Sequence, residues 1–211
     1  MRLYNSCSPF VQMHKIITLL SVLVIITGCN REIHCKVDYS IIMANDSLIT
    51  KFESDSSGQK WWNDYLRKIN EPKLKGEKNE SYRLMIYNSM WASSKIYRIY
   101  KDSNSYKLVF KEFGGEQIEP KDSKLTSNKE IDLSKKKWTE FQNLLKDTEF
   151  WGLPVTMNRM GFDGTTWMLE GRNPDKNNCT NREYHMVSRW QPLDSMKVMK
   201  LNRKLVELKE E

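Results

Sequence analysis

Hydrophobic and polar positions change period several times along this chain, and each change predicts an element. Residues 36–43 (KVDYSIIM) and 47–53 (SLITKFE) are short apolar-rich runs that predict two strands, with Asn45-Asp46 as the turn between them. Residues 59–69 predict a helix, because Trp61, Trp62, Tyr65, Leu66 and Ile69 fall on one stripe. Glu71-Pro72 ends it, and residues 73–80 form a charged loop. Three runs with strand character follow at 82–88, 95–101 and 105–112. The short connection Asp102-Ser103-Asn104 predicts a hairpin between the second and third, and the first joins them as a meander. Gly114-Gly115 closes this unit, and residues 116–131 are expected as a polar excursion.

Residues 133–149 predict a helix capped by Asp132 or Ser134, with Trp138, Phe141, Leu144 and Leu145 on one face. Phe150-Trp151-Gly152-Leu153-Pro154 stops it with bulky anchors, a Gly and a Pro. A turn at Asp163-Gly164 then leads into a strand. The hydrophilic loop from Asn173 to Asn181 separates it from a second strand, REYHMVSRW, which Pro192 ends. From Asp194 the residues Met196, Met199, Leu201, Leu205 and Leu208 make mostly a helical stripe. Helices and strands mix without a regular βαβ alternation. The predicted class is therefore α+β: a mainly antiparallel sheet with a β-meander and a C-terminal hairpin, and helices packed on one face. Residues 36–211 are expected as a single globular domain.

Period-two alternation assigns faces within the C-terminal hairpin. Trp167 and Leu169 lie on one face of its first strand, and Glu170 points to the other. On the partner strand Tyr184, Met186 and Trp190 share a face, with His185, Val187 and Arg189 opposite. Pairing apolar with apolar gathers Glu170, His185 and Arg189 into a candidate polar cluster. It has two readings. One is a pocket in which Arg189 grips an anionic group and Glu170 orients His185. The other is a cross-strand Glu170–Arg189 salt bridge on a solvated face.

Composition adds compartment rather than chemistry. At 39% hydrophobic and 29% charged residues the chain is globular rather than disordered. Met13 to Cys29 has a positive start at Lys15, an apolar run from Ile16 to Ile26 and small residues at Thr27 and Gly28. The run is of signal-peptide length and short of the ~20 residues a spanning helix needs. Residues 1–28 are therefore expected to leave as a signal peptide, with translation starting at Met13. Loss of Arg2 and Lys15 and of no acids takes the net charge from +7 to +5. The lysines are scattered among acids in loops, a pattern that predicts no nucleic-acid surface.

Ile26-Thr27-Gly28-Cys29 resembles the lipobox of bacterial lipoproteins, with Ile26 where that family most often has Leu. The resemblance implies cleavage between Gly28 and Cys29, a diacylglycerol on the Cys29 sulfur and fatty acylation, such as palmitate, of the new amino terminus. Two or three acyl chains make a stable membrane anchor, with residues 29–35 as a short tether. Asn30 after the cysteine favours the outer membrane, periplasmic or surface side, over the inner. Cys35 and Cys179 are left in an exported domain and form a possible disulfide. A zinc site would draw on His34, Cys35, Cys179 and His185, whose spacing matches no standard zinc pattern. A nucleophilic pair of Cys179 and His185 is equally weakly specified. The sequons at Asn45, Asn79 and Asn178 carry little meaning in a bacterial lipoprotein.

The pattern DG-x-x-W-x-L-E … Y-H-x-V-x-R-W-x-P from Asp163 to Pro192 resembles a segment of small Bacteroidetes proteins of unknown activity, some of them lipoproteins. It implies a shared fold element and no catalytic role. No nucleophile-elbow, P-loop, zincin or EF-hand pattern is present. The expectation is a lipid-anchored cell-envelope protein with no metal or cofactor, acting as a binding module for an envelope protein or cell-wall partner. A membrane-tethered immunity-type or inhibitor protein is the alternative. An enzyme using Glu170, His185 and Arg189 is the third reading.

Overall fold

A computed structural model describes residues 38–88, 93–114, 124–157, 164–175 and 180–210. Cys29, Cys35 and Cys179, with the signal, the cleavage site and the tether, lie outside the described residues. Lys36–Glu211 forms one compact unit by itself.

The first described element is a helix, α1 (Tyr39–Ser54), followed at once by α2 (Ser56–Lys68). This corrects the two strands expected at 36–43 and 47–53. The Asp38 side chain accepts from the Ser40 N–H and caps α1. Ile42, Asn45 and Ile49 then recur at helical spacing as its buried face. Asn45-Asp46 is mid-helix, and Asn45 is only 1% exposed, so its sequon is no glycan acceptor in this fold.

β1 (Ser81–Asn88), β2 (Ser93–Asp102), β3 (Ser105–Gly114) and β4 (Lys124–Leu133) form the meander, and β5 (Thr165–Arg172) with β6 (Tyr184–Trp190) forms the hairpin. All six are antiparallel in the order β4-β3-β2-β1-β5-β6. The α+β class stands as the sequence suggests. β4 occupies what was expected as a polar excursion. It is an edge strand whose side chains are nearly all solvated, so it carries no hydrophobic signal, and its charges discourage pairing with another chain.

The helices, expected on one face, cover both. Tyr82, Leu84, Ile99, Leu108, Phe110, Leu169 and Val187 pack on α3 (Lys135–Asp147), the short 3-10 turn Phe150–Gly152 and α4 (Lys197–Glu207). Met85, Ile96 and Phe113 point the other way, onto Trp62, Tyr65, Leu66 and Ile69 of α2. Ile49 of α1 meets Met186 and Val155. Central strands buried on both faces carry near-continuous apolar runs, as β1 does (SYRLMIYN). Ser134, not Asp132, caps α3.

Gly171 of β5 lies between Tyr82 of β1 and His185 of β6 in register. The Phe150 ring rests on it, 6.2 Å from the Tyr82 ring and 5.2 Å from the His185 ring by centroid. A Cβ at Gly171 would come within 2.6 Å of Phe150 and 2.8 Å of Tyr82. Overpacking of this kind costs about 1–3 kcal/mol. Gly171→Ala is therefore expected to lower the unfolding free energy by that much, read in urea as a lower midpoint with no change in the slope.

Candidate functional site

The hairpin register divides the expected polar cluster. Leu169 pairs with Val187, Glu170 with Met186 and Gly171 with His185. Trp167 and Leu169 thus share a face with His185, Val187 and Arg189, while Glu170 shares the other with Tyr184 and Met186. The Glu170–His185–Arg189 cluster does not form, and neither does the Glu170–Arg189 salt bridge. The face holding Tyr184 and Met186 lies on the opposite side of the hairpin from Leu169. Both faces of this sheet are buried, so apolar content could not fix the register.

His185 and Arg189 hold one segment, residues 150–155. The His185 Nε2 lies 3.0 Å from the Leu153 carbonyl, and the ring is fully buried. Arg189 donates to the carbonyls of Val155 (3.1 Å), Pro154 (2.8 Å) and Ser188 (2.7 Å). From α1, Asn45 donates to the Leu153 carbonyl and accepts from the Val155 N–H, both at 2.8 Å. The Ser188 N–H also donates to the Val155 carbonyl, at 2.7 Å. Phe150 and Trp151 belong to one core and Val155 to the cluster on the opposite face. The segment therefore passes round the free edge of β6 and covers it.

Burial above all, and then the Arg182 charge, hold the His185 imidazole at about 3, although its Leu153 hydrogen bond opposes this. It is neutral with the proton on Nε2, and Nδ1 is buried without an acceptor or donor partner among the described residues. Burial also lowers the Arg189 guanidinium, to about 10, which leaves it charged at neutral pH.

Glu170 belongs to a second array on the opposite face. Register places Glu170 beside Arg83, and Arg83 beside Arg98. Arg83, wholly buried, donates to Glu170 Oε2 from Nε (2.9 Å) and Nη2 (2.5 Å), and to the Pro72 carbonyl at 2.7 Å. Glu170 Oε1 accepts from the Tyr184 hydroxyl at 2.7 Å. Glu71 comes down over the row from the connection after α2. Its Oε2 meets Arg98 Nε at 2.8 Å and Arg83 Nη1 at 3.5 Å, and its Oε1 meets Lys111 Nζ at 2.8 Å. Burial pushes the Glu71 carboxyl up, but Arg98, Lys111 and Arg83 together outweigh it and hold it below the ordinary value.

α2 aims Glu71. Asn70 takes a left-handed conformation (φ 52°), and the Glu71 N–H donates back to the Leu66 carbonyl. This is a Schellman-type stop made with Asn. Lys111 donates to the Ile69 and Asn70 carbonyls, so one cation both closes the helix end and faces Glu71. Sequence reasoning placed Glu71 and Pro72 only as a helix stop. The available signal was two arginines, Arg83 and Arg98, inside otherwise apolar strands.

Beside this array opens a cleft of about 280 Å³ lined by Asp46, Ile49 and Thr50 of α1, Lys75 and Gly76, and Arg172, Arg182, Glu183 and Tyr184. Among the described residues no cluster of His, Cys, Asp and Glu is arranged to hold a metal, and no helix is long and apolar enough to cross a membrane. Compared with known proteins, the chain matches no family model, no curated protein and no solved structure.

Two outcomes follow. Glu71→Gln takes the carboxylate from Arg98 and Lys111 while Arg83 keeps Glu170, and breaking a buried pair in this way costs about 3–5 kcal/mol. Urea unfolding should register that loss, whereas Glu183→Gln, at a half-exposed carboxylate, should cost under ~1 kcal/mol. The second outcome concerns pH. An unfolded histidine titrates near about 6.5, and folded His185 near about 3. The unfolded state therefore takes up the proton first as pH falls. The His185 contribution is intact above about pH 6.5 and declines toward about pH 3, by on the order of 2 kcal/mol at about pH 5. The urea midpoint should fall over that range in the wild type, and His185→Gln should flatten the dependence.

Proposed function

We propose that this chain is a lipid-anchored cell-envelope protein that works by binding an envelope protein or cell-wall partner, and not by catalysis. The anchor is Cys29, in the setting Ile26-Thr27-Gly28-Cys29. It favours the outer membrane, with attachment through two or three acyl chains. The observation that carries the binding reading is the fate of the candidate active-site residues. Glu170 is taken up by Arg83 and Tyr184, His185 by Leu153, and Arg189 by three backbone carbonyls. A general acid or base needs an accessible group that titrates near the working pH. His185 is enclosed and neutral, with its basicity suppressed to about 3. The buried arginines instead give a rigid surface behind the cleft, suited to presenting fixed groups to a ligand.

Metabolic labelling with an alkyne-bearing fatty acid tests the anchor. The wild-type chain should incorporate label and sediment with membranes. Cys29→Ala should lose the label and accumulate uncleaved or soluble. An unlabelled wild-type chain would overturn the anchor. Cross-linking in intact cells tests the binding half, and recovery of no envelope partner there would overturn it.

A further inference from the structure

We propose that the cleft between α1, the loop before β1 and the start of β6 binds a compact ligand with two anionic groups, carboxylate or phosphate, through Arg172 and Arg182. The inference goes beyond the binding reading above, adding a small-anion site to the protein.

Both arginines are buried, and backbone carbonyls fix them. Arg172 donates from Nε to Glu77 (3.1 Å) and from Nη1 to Asn173 (3.2 Å) and Glu183 (3.3 Å). Arg182 donates to the carbonyls of Ile42 and, at 3.5 Å, Trp151. These contacts set the direction of each guanidinium before any anion arrives. Each also meets one carboxylate: Glu183 at 2.9 Å from Arg172 and Asp46 at 2.7 Å from Arg182. The two partners of each pair are unequally held. The arginine side chains are 9% and 7% exposed, while Glu183 and Asp46 are 46% and 59% exposed. A solvated carboxylate gains little from such a pair, typically under ~1 kcal/mol. The acids are therefore the exchangeable partners and the arginines the fixed ones.

An arriving carboxylate or phosphate would take the places of Glu183 and Asp46 on two prepositioned guanidiniums, whose planar forks match either group. Preorganisation lowers the ordering cost of binding. The lining carries Lys75, Arg172 and Arg182 against Asp46 and Glu183, so swinging the two acids outward leaves a cationic cleft. The volume of about 280 Å³ suits a small dianion rather than a polymer or an extended peptide. Gly76, at φ 87° with open space beside its Cα, leaves one wall without a side chain.

Isothermal titration of the full detergent-solubilised chain tests this with citrate and inorganic pyrophosphate as polyanion probes, each with at least two anionic groups, and acetate as the single-charge control. At least one polyanion should saturate and bind at least about tenfold more tightly than acetate. Citrate alone would assign carboxylate chemistry and pyrophosphate alone phosphate chemistry. Arg172→Gln and Arg182→Gln should each weaken binding by about tenfold or more. The decisive variants are Glu183→Gln and Asp46→Asn, exposed residues whose loss leaves the fold intact. They remove internal competitors and should tighten binding severalfold. Failure of both polyanions to saturate, or weaker binding in Glu183→Gln and Asp46→Asn, overturns the site even where the arginine variants do not fold. If the polyanions fail while cross-linking still recovers an envelope partner, the cleft assignment falls and the binding reading stands.

Discussion

Two arginines face each other across the centre of a buried sheet, and the fold depends on what lies over them. Arg83 and Arg98 are directly opposed on β1 and β2, an arrangement that is unfavourable by itself. Glu170 offsets one of them from the neighbouring strand, and Glu71 spans both while also meeting Lys111. Glu71 reaches this position only because α2 stops at Asn70 in a left-handed turn, and Lys111 holds that stop through two carbonyls. The helix end, the charge row and the sheet register thus fix one another. A register slip of one residue would leave at least one buried charge unpaired, so the row specifies the alignment of four strands more sharply than apolar packing could.

The opposite edge of the sheet uses neutral and backbone-directed contacts. Residues 150–155 wrap the open side of β6, and Asn45, His185 and Arg189 hold their peptide groups. Gly171 provides the seat on which Phe150 enters the core. The edge is thereby covered by the protein's own chain, while the other edge, β4, is protected by exposed charge. Side chains that suggest catalysis when seen in sequence are here holding a strap in place.

These two arrays meet at the cleft. Tyr184 lines it and hydrogen-bonds Glu170, the end of the charge row. Arg182 lines it and reaches the carbonyl of Trp151, within the strap. The walls are thus anchored on both sides to the most constrained parts of the molecule. The proposed anion site thus sets fixed guanidiniums and more exposed carboxylates on a constrained base.

The sequence by itself determined the strands of the meander and hairpin, the helices at α2, α3 and α4, and the α+β class, because periodicity and turn residues act locally. It did not reveal α1, whose apolar positions also fit two short runs of strand, until burial of Ile42, Asn45 and Ile49 selects the helical period. It did not reveal β4, because an edge strand needs no apolar face. The candidate site was legible as residue types only: Glu170, His185 and Arg189 were identified as polar side chains within apolar strands, and their separation was not. Strand pairing decides which faces coincide, and pairing here follows from Leu84 against Leu169 and from charges supplied by Glu71, far from the hairpin in sequence. Only the tertiary structure brings Arg172 and Arg182 to one cleft and sets their exposed acids apart from their buried stems. That distinction is one of burial, which depends on how distant segments pack.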